Sequence, residues 1–269
     1  MDLQLKGKRA LVTGSSSGIG AACARELAAE GCAVVIHGRD RERAEAVARE
    51  CEALGVQAAV ALGSVTDDGD CSRIAETALA ALGHIDIVVN SAGGVVKGGN
   101  PDWTEMTSAD WAESFSLNVT SVIRLAGHLT PGMIAQGWGR IVSISSVGGK
   151  QLSGRLLEYG AAKAALDHLT GNFSRRLAPH GITVNAVVPG TILTPQAQRW
   201  IETLRDQNGW PQDFAECERI YTQEYGGQPV PRLGRPEEIA AAVAFLASPR
   251  SGFTTGALLR IDGGNTRAL

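Results

Sequence analysis

The stretch KRALVTGSSSGIGAACARELAAEG, residues 8–31, decides the fold. Residues 8–12 end in an apolar run, Ala10-Leu11-Val12, which predicts a short buried strand. Residues 21–30 are rich in Ala and stop at Gly31, which predicts a helix. Between them lies a turn holding Gly14, Gly18 and Gly20. Strand, glycine turn and helix in that order form the setting in which a dinucleotide pyrophosphate is held. Glycines let the backbone come close, and the helix start offers free N–H groups and the positive end of its dipole. The spacing is Gly14-x-x-x-Gly18-x-Gly20 rather than the generic GxGxxG, so the glycines alone also fit an ordinary tight turn.

The pattern repeats outward. Strands are predicted over residues 33–36, 56–62, 85–90, 141–144, 182–188 and 258–261. Helices are predicted over 41–54, 70–82, 108–129, a further stretch opened by Pro131, one running past Tyr159 to 176, and 236–248. Strands and helices alternate without linker, repeat or low-complexity break. The expected fold is a single α/β domain over residues 1–269, a Rossmann-type, doubly wound parallel sheet with helices on both faces. Sites in such sheets lie outside the C-terminal strand ends. Ser16, Ser17, Arg39, Ala92, Ser146 and Pro189 all fall there.

The end of the second strand, His37-Gly38-Arg39-Asp40, bears on the type of dinucleotide. An acid there accepts from the ribose hydroxyl of NAD, whereas an Arg suits the extra phosphate of NADP. Gly38 stands where the acid is looked for and Arg39 follows, so NADP is favoured and NAD stays possible. The competing reading makes Arg39 a surface residue paired with Asp40.

Composition narrows the function classes. A net charge of −3 gives no reason to expect nucleic acid or a membrane surface as partner, and no apolar run approaches spanning length. The five Cys are scattered without CxxC pairing and read as buried small residues of a reducing compartment, hence a cytoplasmic protein. The His show no ligand spacing, so no metal is expected. The N-terminus runs into a strand with no signal-peptide pattern.

Chemistry concentrates in residues 139–170, GRIVSISSVGGKQLSGRLLEYGAAKAALDHLT. A strand delivers Ser145 and Ser146, a glycine-rich loop follows, and a helix carries Tyr159 and Lys163 four residues apart, on one face. An ammonium beside a phenol favours the phenolate, so Lys163 is expected to lower the Tyr159 pKa. Tyr159 then suits proton exchange with a carbonyl or alcohol oxygen, and Ser146 suits a second hydrogen bond to that oxygen. Asn118 sits mid-helix, where Asn is unfavourable unless it bonds the backbone and bends the helix.

Over nearly its whole length the chain resembles the short-chain dehydrogenase/reductase family. TGSSSGIG at 13–20 is similar to the family's cofactor loop, and NSAG at 90–93 to its NNAG. Asn118, Ser146, Tyr159 and Lys163 match its catalytic tetrad, VNAVVPGTILTP at 184–195 its nicotinamide-side segment, and GRPEEIA…IDGG its C-terminal signature. The resemblance implies hydride transfer between a nicotinamide and a small carbonyl or secondary alcohol. Tyr159 exchanges the proton, Ser146 holds the oxygen, Lys163 tunes Tyr159 and bonds the ribose, and Asn118 holds a water. Gly14, Ser16, Ser17, Gly18, Ile19, Gly20, Arg39, Ser64, Val65, Asn90, Ala92, Gly93, Pro189, Gly190, Ile192 and Thr194, with Tyr159 and Lys163, line the cofactor. A homotetramer is implied as well. Ser64 stands where the family often has an adenine-binding Asp, which implies a weaker grip there.

The substrate is expected among Val96, Lys97, Gly148, Lys150, Arg155 and Leu157. Three of these are cations and point to a small polar or anionic carbonyl compound, unless all three face solvent. Residues 195–231 are polar and carry scattered aromatics, so they are expected to fold as a mobile lid, or else as a helix pair that merely packs. An alternative activity is reduction of 3-oxoacyl thioesters on acyl carrier protein. Reductases of that subgroup dock the carrier on surface Arg, and Gly137 and His180 stand at those positions here. A non-catalytic nucleotide-binding regulator is the remote alternative, and it gives no reason to keep all four tetrad groups.

Overall fold

The computed structural model describes residues 1–97, 102–152, 156–226 and 228–267. Seven strands form one sheet: β1 (Arg9–Thr13), β2 (Ala33–Gly38), β3 (Ala58–Leu62), β4 (Ile87–Asn90), β5 (Gly139–Ile144), β6 (Ile182–Pro189) and β7 (Leu258–Ile261). Their order is β3-β2-β1-β4-β5-β6-β7 and every pairing is parallel. The chain runs outward from β1 to β3, then returns to lay β4 on the other side of β1. That reversal leaves a crevice above the ends of β1 and β4.

Alternation along the strands builds two apolar layers. Ala10 and Val12 of β1, Ile87 and Val89 of β4, and Val142 of β5 face one side. There they meet α1 (Gly18–Ala29), α2 (Arg41–Glu52) and α9 (Pro236–Ala247). Leu11, Val88 and Ile141, their neighbours in sequence, face the other side. There they meet α3 (Asp68–Leu82) and α5 (Ser121–Gln136), and α6 (Leu157–Leu177) packs along β6. A strand buried on both faces needs no polar residue, which is why these runs are continuously apolar. All five cysteines are buried and unbridged. No described helix is long and apolar enough to cross a membrane.

Two helix expectations are corrected. The predicted helix over 108–129 is α4 (Ser108–Phe115), a π turn at Ser116–Thr120, and then α5. Pro131 does not open a new helix but lies inside α5. Its missing N–H costs one backbone bond. Leu129 and Met133, on either side of it, are buried and hold α5 to the sheet, so packing overrides the local breaker.

After β6 the chain forms α7 (Pro195–Asn208), α8 (Phe214–Ile220) and a π turn at Tyr221–Tyr225. Ile201, Cys217, Tyr221 and Leu233 make a small apolar cluster of their own here. The Trp200 ring meets Tyr221 edge-on at 5.1 Å.

β5 is central to the sheet and carries the loop with Ser146. Ile141 is 1% exposed there. Ile141→Ala is expected to lower unfolding stability by about 2–5 kcal/mol, read from chemical denaturation midpoints at unchanged slope.

Candidate functional site

The glycine turn after β1 is set by polar side chains that the chain buries for that purpose. Ser15 Oγ donates to the Val12 carbonyl at 2.7 Å and accepts from the His37 N–H at 2.9 Å. Gly14 N–H donates to His37 Nδ1 at 3.0 Å, and His37 Nε2 pairs with the Gly63 carbonyl at 3.2 Å. Thr13 Oγ1 accepts from both Ser91 and Ala92 N–H at 3.0 Å, which pins the turn after β4 beside the turn after β1. Ser17 begins α1 without a side-chain cap, so the first N–H groups of that helix keep no side-chain partner of their own. Those donors, beside a glycine backbone, fit a pyrophosphate. A methyl on Gly18 would come within 3.3 Å of Thr194 Cγ2, so the glycine turn and the segment after β6 face each other.

The end of β2 explains the missing acid. A Cβ on Gly38 would stand 2.7 Å from Ser16 Oγ. No carboxylate side chain fits there while Ser16 keeps its place. Arg39 is exposed, and Asp40 is engaged elsewhere: it caps α2 through the Arg43 N–H and pairs with the Arg43 side chain at 3.3 Å. An Arg39–Asp40 pair is therefore not what holds this corner. Ser64 is tied locally. Its hydroxyl is paired with Thr66 Oγ1 at 2.7 Å and its N–H with Asp70 Oδ2 at 2.7 Å, both ties to the start of α3. Val65 beside it is buried.

Ser146, Tyr159, Lys163 and Asn118 come together at the end of β5. Ser146 starts a 3-10 turn and its Oγ accepts from the Gly148 N–H at 3.1 Å. Tyr159 and Ser146 share a side-chain hydrogen bond. Lys163 is 4% exposed, donates to the Ile144 carbonyl at 2.8 Å, and lies 5.5 Å from the Tyr159 ring centre. Asn118 does what a mid-helix Asn must. Its Nδ2 donates to the Gly94 and Ser114 carbonyls at 2.9 and 3.0 Å, and its Oδ1 accepts from the Gly94 N–H at 2.9 Å. The π turn around it re-aims the side chain toward residues 93–94. A Cβ on Gly93 would meet Asn118 Oδ1 at 2.8 Å. Asn90 closes the β4 end with a 3.4 Å bond to Ser143 Oγ.

The charge states depart from expectation. Burial pushes the Tyr159 phenol up, and the Ser146 hydrogen bond opposes that. The Lys163 ammonium, 5.5 Å from the Tyr159 ring centre, donates to the Ile144 carbonyl. Burial lowers Lys163 itself to about 8, with Asp167 acting in the opposite sense.

The expected substrate residues divide. Gly148 lies beside the Tyr159 ring, 3.7 Å from where its Cβ would be. Val96 is half-buried, and Leu157, at the start of α6, is 41% exposed. Lys97 is spoken for: it donates to the Glu105 carbonyl at 2.8 Å and lies 3.9 Å from Asp110. Lys150 pairs with Asp167 at 3.1 Å. Both lysines thus have carboxylate partners in the free protein. Arg155 lies outside the described residues.

After β6, Gly190 N–H donates to the Ile261 carbonyl at 3.1 Å, Ile192 bridges to Gly234, and Thr194 caps α7 through the Ala197 N–H at 3.2 Å. Thr191 Oγ1 reaches Tyr221 Oη at 3.2 Å, which ties the π turn at Tyr221–Tyr225 to this turn. Asn265 bonds Gln151 of the Ser146 loop and donates to the Gly226 carbonyl at 2.6 Å. His37, Thr13 and Asn265 were not singled out from the sequence. His37 had a visible signal: a His at the end of an apolar strand, directly before Gly38.

His37 is 3% exposed, and burial lowers it to about 4, with the Gly63 bond opposing and Arg39 adding to the fall. As pH falls, the unfolded chain takes this proton first, at about 6.5. The contribution of neutral His37 is thus present above about 6.5 and lost as pH drops toward 4. Thermal unfolding is expected to fall more steeply over this window in the parent than in His37→Gln.

Comparison with known proteins gives one consistent picture. A family model described as enoyl-(acyl carrier protein) reductase matches residues 14–266. The 7α-hydroxysteroid dehydrogenase of Escherichia coli (strain K12) is 33% identical over 268 residues, covering 100% of this chain and 98% of that protein. The 3-oxoacyl-(acyl-carrier-protein) reductase of Aquifex aeolicus is 35% identical over 98% of this chain and 99% of its own length. Among solved structures, the L-sorbose reductase of Gluconobacter frateurii, complexed with NADPH and L-sorbose, superposes with a TM-score of 0.93. It is 32% identical, with both chains covered fully.

Proposed function

The chain belongs to the short-chain dehydrogenase/reductase family of NAD(P)-dependent oxidoreductases, and on that premise we propose that it interconverts a small carbonyl compound and its secondary alcohol with NADP(H). The observation that carries this reading is the meeting of Ser146, Tyr159 and Lys163 at the end of β5, beside the glycine turn.

The bound nicotinamide supplies or takes the hydride. Everything else falls to the chain. Tyr159 Oη gives its proton to the substrate oxygen in reduction and takes it back in oxidation. A phenol pushed up by burial stays protonated at neutral pH, which suits the reducing direction. Ser146 Oγ donates to the same oxygen as charge builds on it. Lys163 supplies positive charge near Tyr159 and a bond to the ribose, and Asn118 orders the turn at residues 93–94 and a water behind Lys163. Gly14, Ser17 and Ile19 hold the pyrophosphate, Ser16 and Arg39 the ribose phosphate, and Ser64 and Val65 the adenine. Asn90, Ala92, Gly93, Pro189, Gly190, Ile192 and Thr194 hold the nicotinamide half. NADP is favoured because Ser16 fills the place of a ribose-binding acid and Arg39 stands exposed beside it.

With Lys97 and Lys150 both paired, the substrate we favour is neutral, gripped by Val96, Gly148 and Leu157 beneath α7 and α8 as a lid. The assembly we propose is a homotetramer in the cytoplasm, a setting that suits five buried free thiols. A second reading, reduction of a carrier-bound 3-oxoacyl thioester, is favoured by the 35%-identical Aquifex aeolicus relative. Against it, Gly137 is a left-handed helix end and His180 an exposed imidazole where a docking reductase would present Arg.

NADPH oxidation with a panel of sugar-derived ketones, cyclic ketones, keto acids and acyl thioesters tests the reading. Tyr159→Phe is expected to lower kcat about 10²–10⁴-fold on whichever class responds; unchanged turnover would remove the mechanism. Arg39→Ala is expected to raise the KM for NADPH about tenfold or more and leave that for NADH nearly unmoved; equal effects on both would remove the coenzyme argument.

A further inference from the structure

The loop that follows Ser146 lies so close to α6 that a side chain would not fit at Gly149. A Cβ there would stand 2.8 Å from the Ala164 amide nitrogen and 3.0 Å from Lys163 Cβ. This approach carries the next residue, Lys150, over the helix, where its Nζ is 3.1 Å from Asp167 Oδ2. Asp167 is 7% exposed. Neither of its oxygens accepts a hydrogen bond among the described residues, so the Lys150 charge is what meets it. Asp167 also lies four residues after Lys163, one turn along the same face of α6. One buried carboxylate thus stands between two lysines. One lysine belongs to the Ser146 loop and the other to the catalytic helix.

We propose that Lys150 and Asp167 are a positioning pair: their contact holds the Ser146 loop on the Tyr159 helix, and their balance of charge sets how readily Lys163 keeps its proton. The proposal rests on the reading of Tyr159 and Lys163 as catalytic residues.

The electrostatics give the two partners opposite signs. Asp167 favours the ammonium form of Lys163 and opposes the effect of its burial. Lys150 neutralises part of the Asp167 field, so it disfavours that form. Other charges near α6 are placed elsewhere. β6, the 3-10 turn after Ser146 and the π turn with Asn118 carry no titratable side chain. α4 brings Asp110, paired toward Lys97, and the exposed Glu113. His180 follows the far end of α6 and is exposed, as is His168 beside Asp167.

The test reads Lys163 directly. The protein is labelled with carbon-13 lysine, the Cε signals are followed against pH, and the Lys163 signal is identified by its loss in Lys163→Arg. In Asp167→Asn the Lys163 midpoint is expected to fall, and in Lys150→Met to rise, by about one pH unit each. The double variant is expected between Asp167→Asn and the parent. Lys150→Arg and Asp167→Glu, which keep the charges, are expected to return the parent value. Lys150→Met and the two conservative variants carry the test if Asp167→Asn does not fold. A midpoint that Lys150→Met leaves in place, or that both single variants move the same way, overturns the proposal. The titration is read on the free protein without turnover, so its failure is distinct from failure of the catalytic reading, which Tyr159→Phe turnover reports.

Discussion

The bond from the Lys163 ammonium to the Ile144 carbonyl, 2.8 Å long, joins the two halves of the site. Ile144 is the last residue of β5, and Lys163 lies in the second turn of α6. The chain between them leaves the sheet and comes back, and such a loop has no geometry of its own. A buried ammonium must find acceptors, because an unpartnered charge in an apolar interior is costly. The carbonyl at the end of a parallel strand is free to accept where the next strand has ended. The bond thus satisfies both groups and fixes the distance between strand end and helix. Ser146 and Tyr159 inherit that distance.

The same logic runs around the crevice. Thr13, Ser15, His37 and Asn118 are polar and 3% exposed or less. Each uses its hydrogen bonds on backbone groups in or beside a turn rather than on another side chain. Turns after parallel strands expose N–H and C=O groups that no neighbouring strand can take, and buried groups of that kind need partners. Small polar side chains supply them at fixed positions. The turns are thereby held without a ligand, which lowers the ordering cost when one binds.

Most of the fold was legible because its signals are local and repeated. A strand buried on both faces must be apolar, and most described helices end near a glycine or begin at a cap, so existence and type follow from short windows of sequence. Pro131 was misread because the window shows the breaker and hides Leu129 and Met133 holding α5 from the sheet side. The meeting of Ser146, Tyr159 and Lys163 was legible because the three share one unit of strand, loop and helix. The fates of Lys97 and Lys150 were not. A lysine near a reacting centre in sequence looks like a ligand-binding cation, and its partners, Asp110 and Asp167, lie 13 and 17 residues away on helices whose facing is set by packing. His37 was hidden for a related reason: its two partners, Gly14 and Gly63, belong to different turns that only the sheet brings together.

On the proposed NADP reading, what the β2 end accepts follows from volume before charge. Charge alone would let an acid at position 38 coexist with Arg39, as an exposed pair worth little. The Ser16 side chain removes that option, since a Cβ at Gly38 would already lie 2.7 Å from Ser16 Oγ. Changing the preference therefore takes two steps: vacating Ser16 and then adding the carboxylate. A single substitution at position 38 would first have to move the Ser16 side chain out of its place. The β2 end and the glycine turn after β1 are one packing problem in this chain, because Ser16 belongs to the turn and fills the space at Gly38.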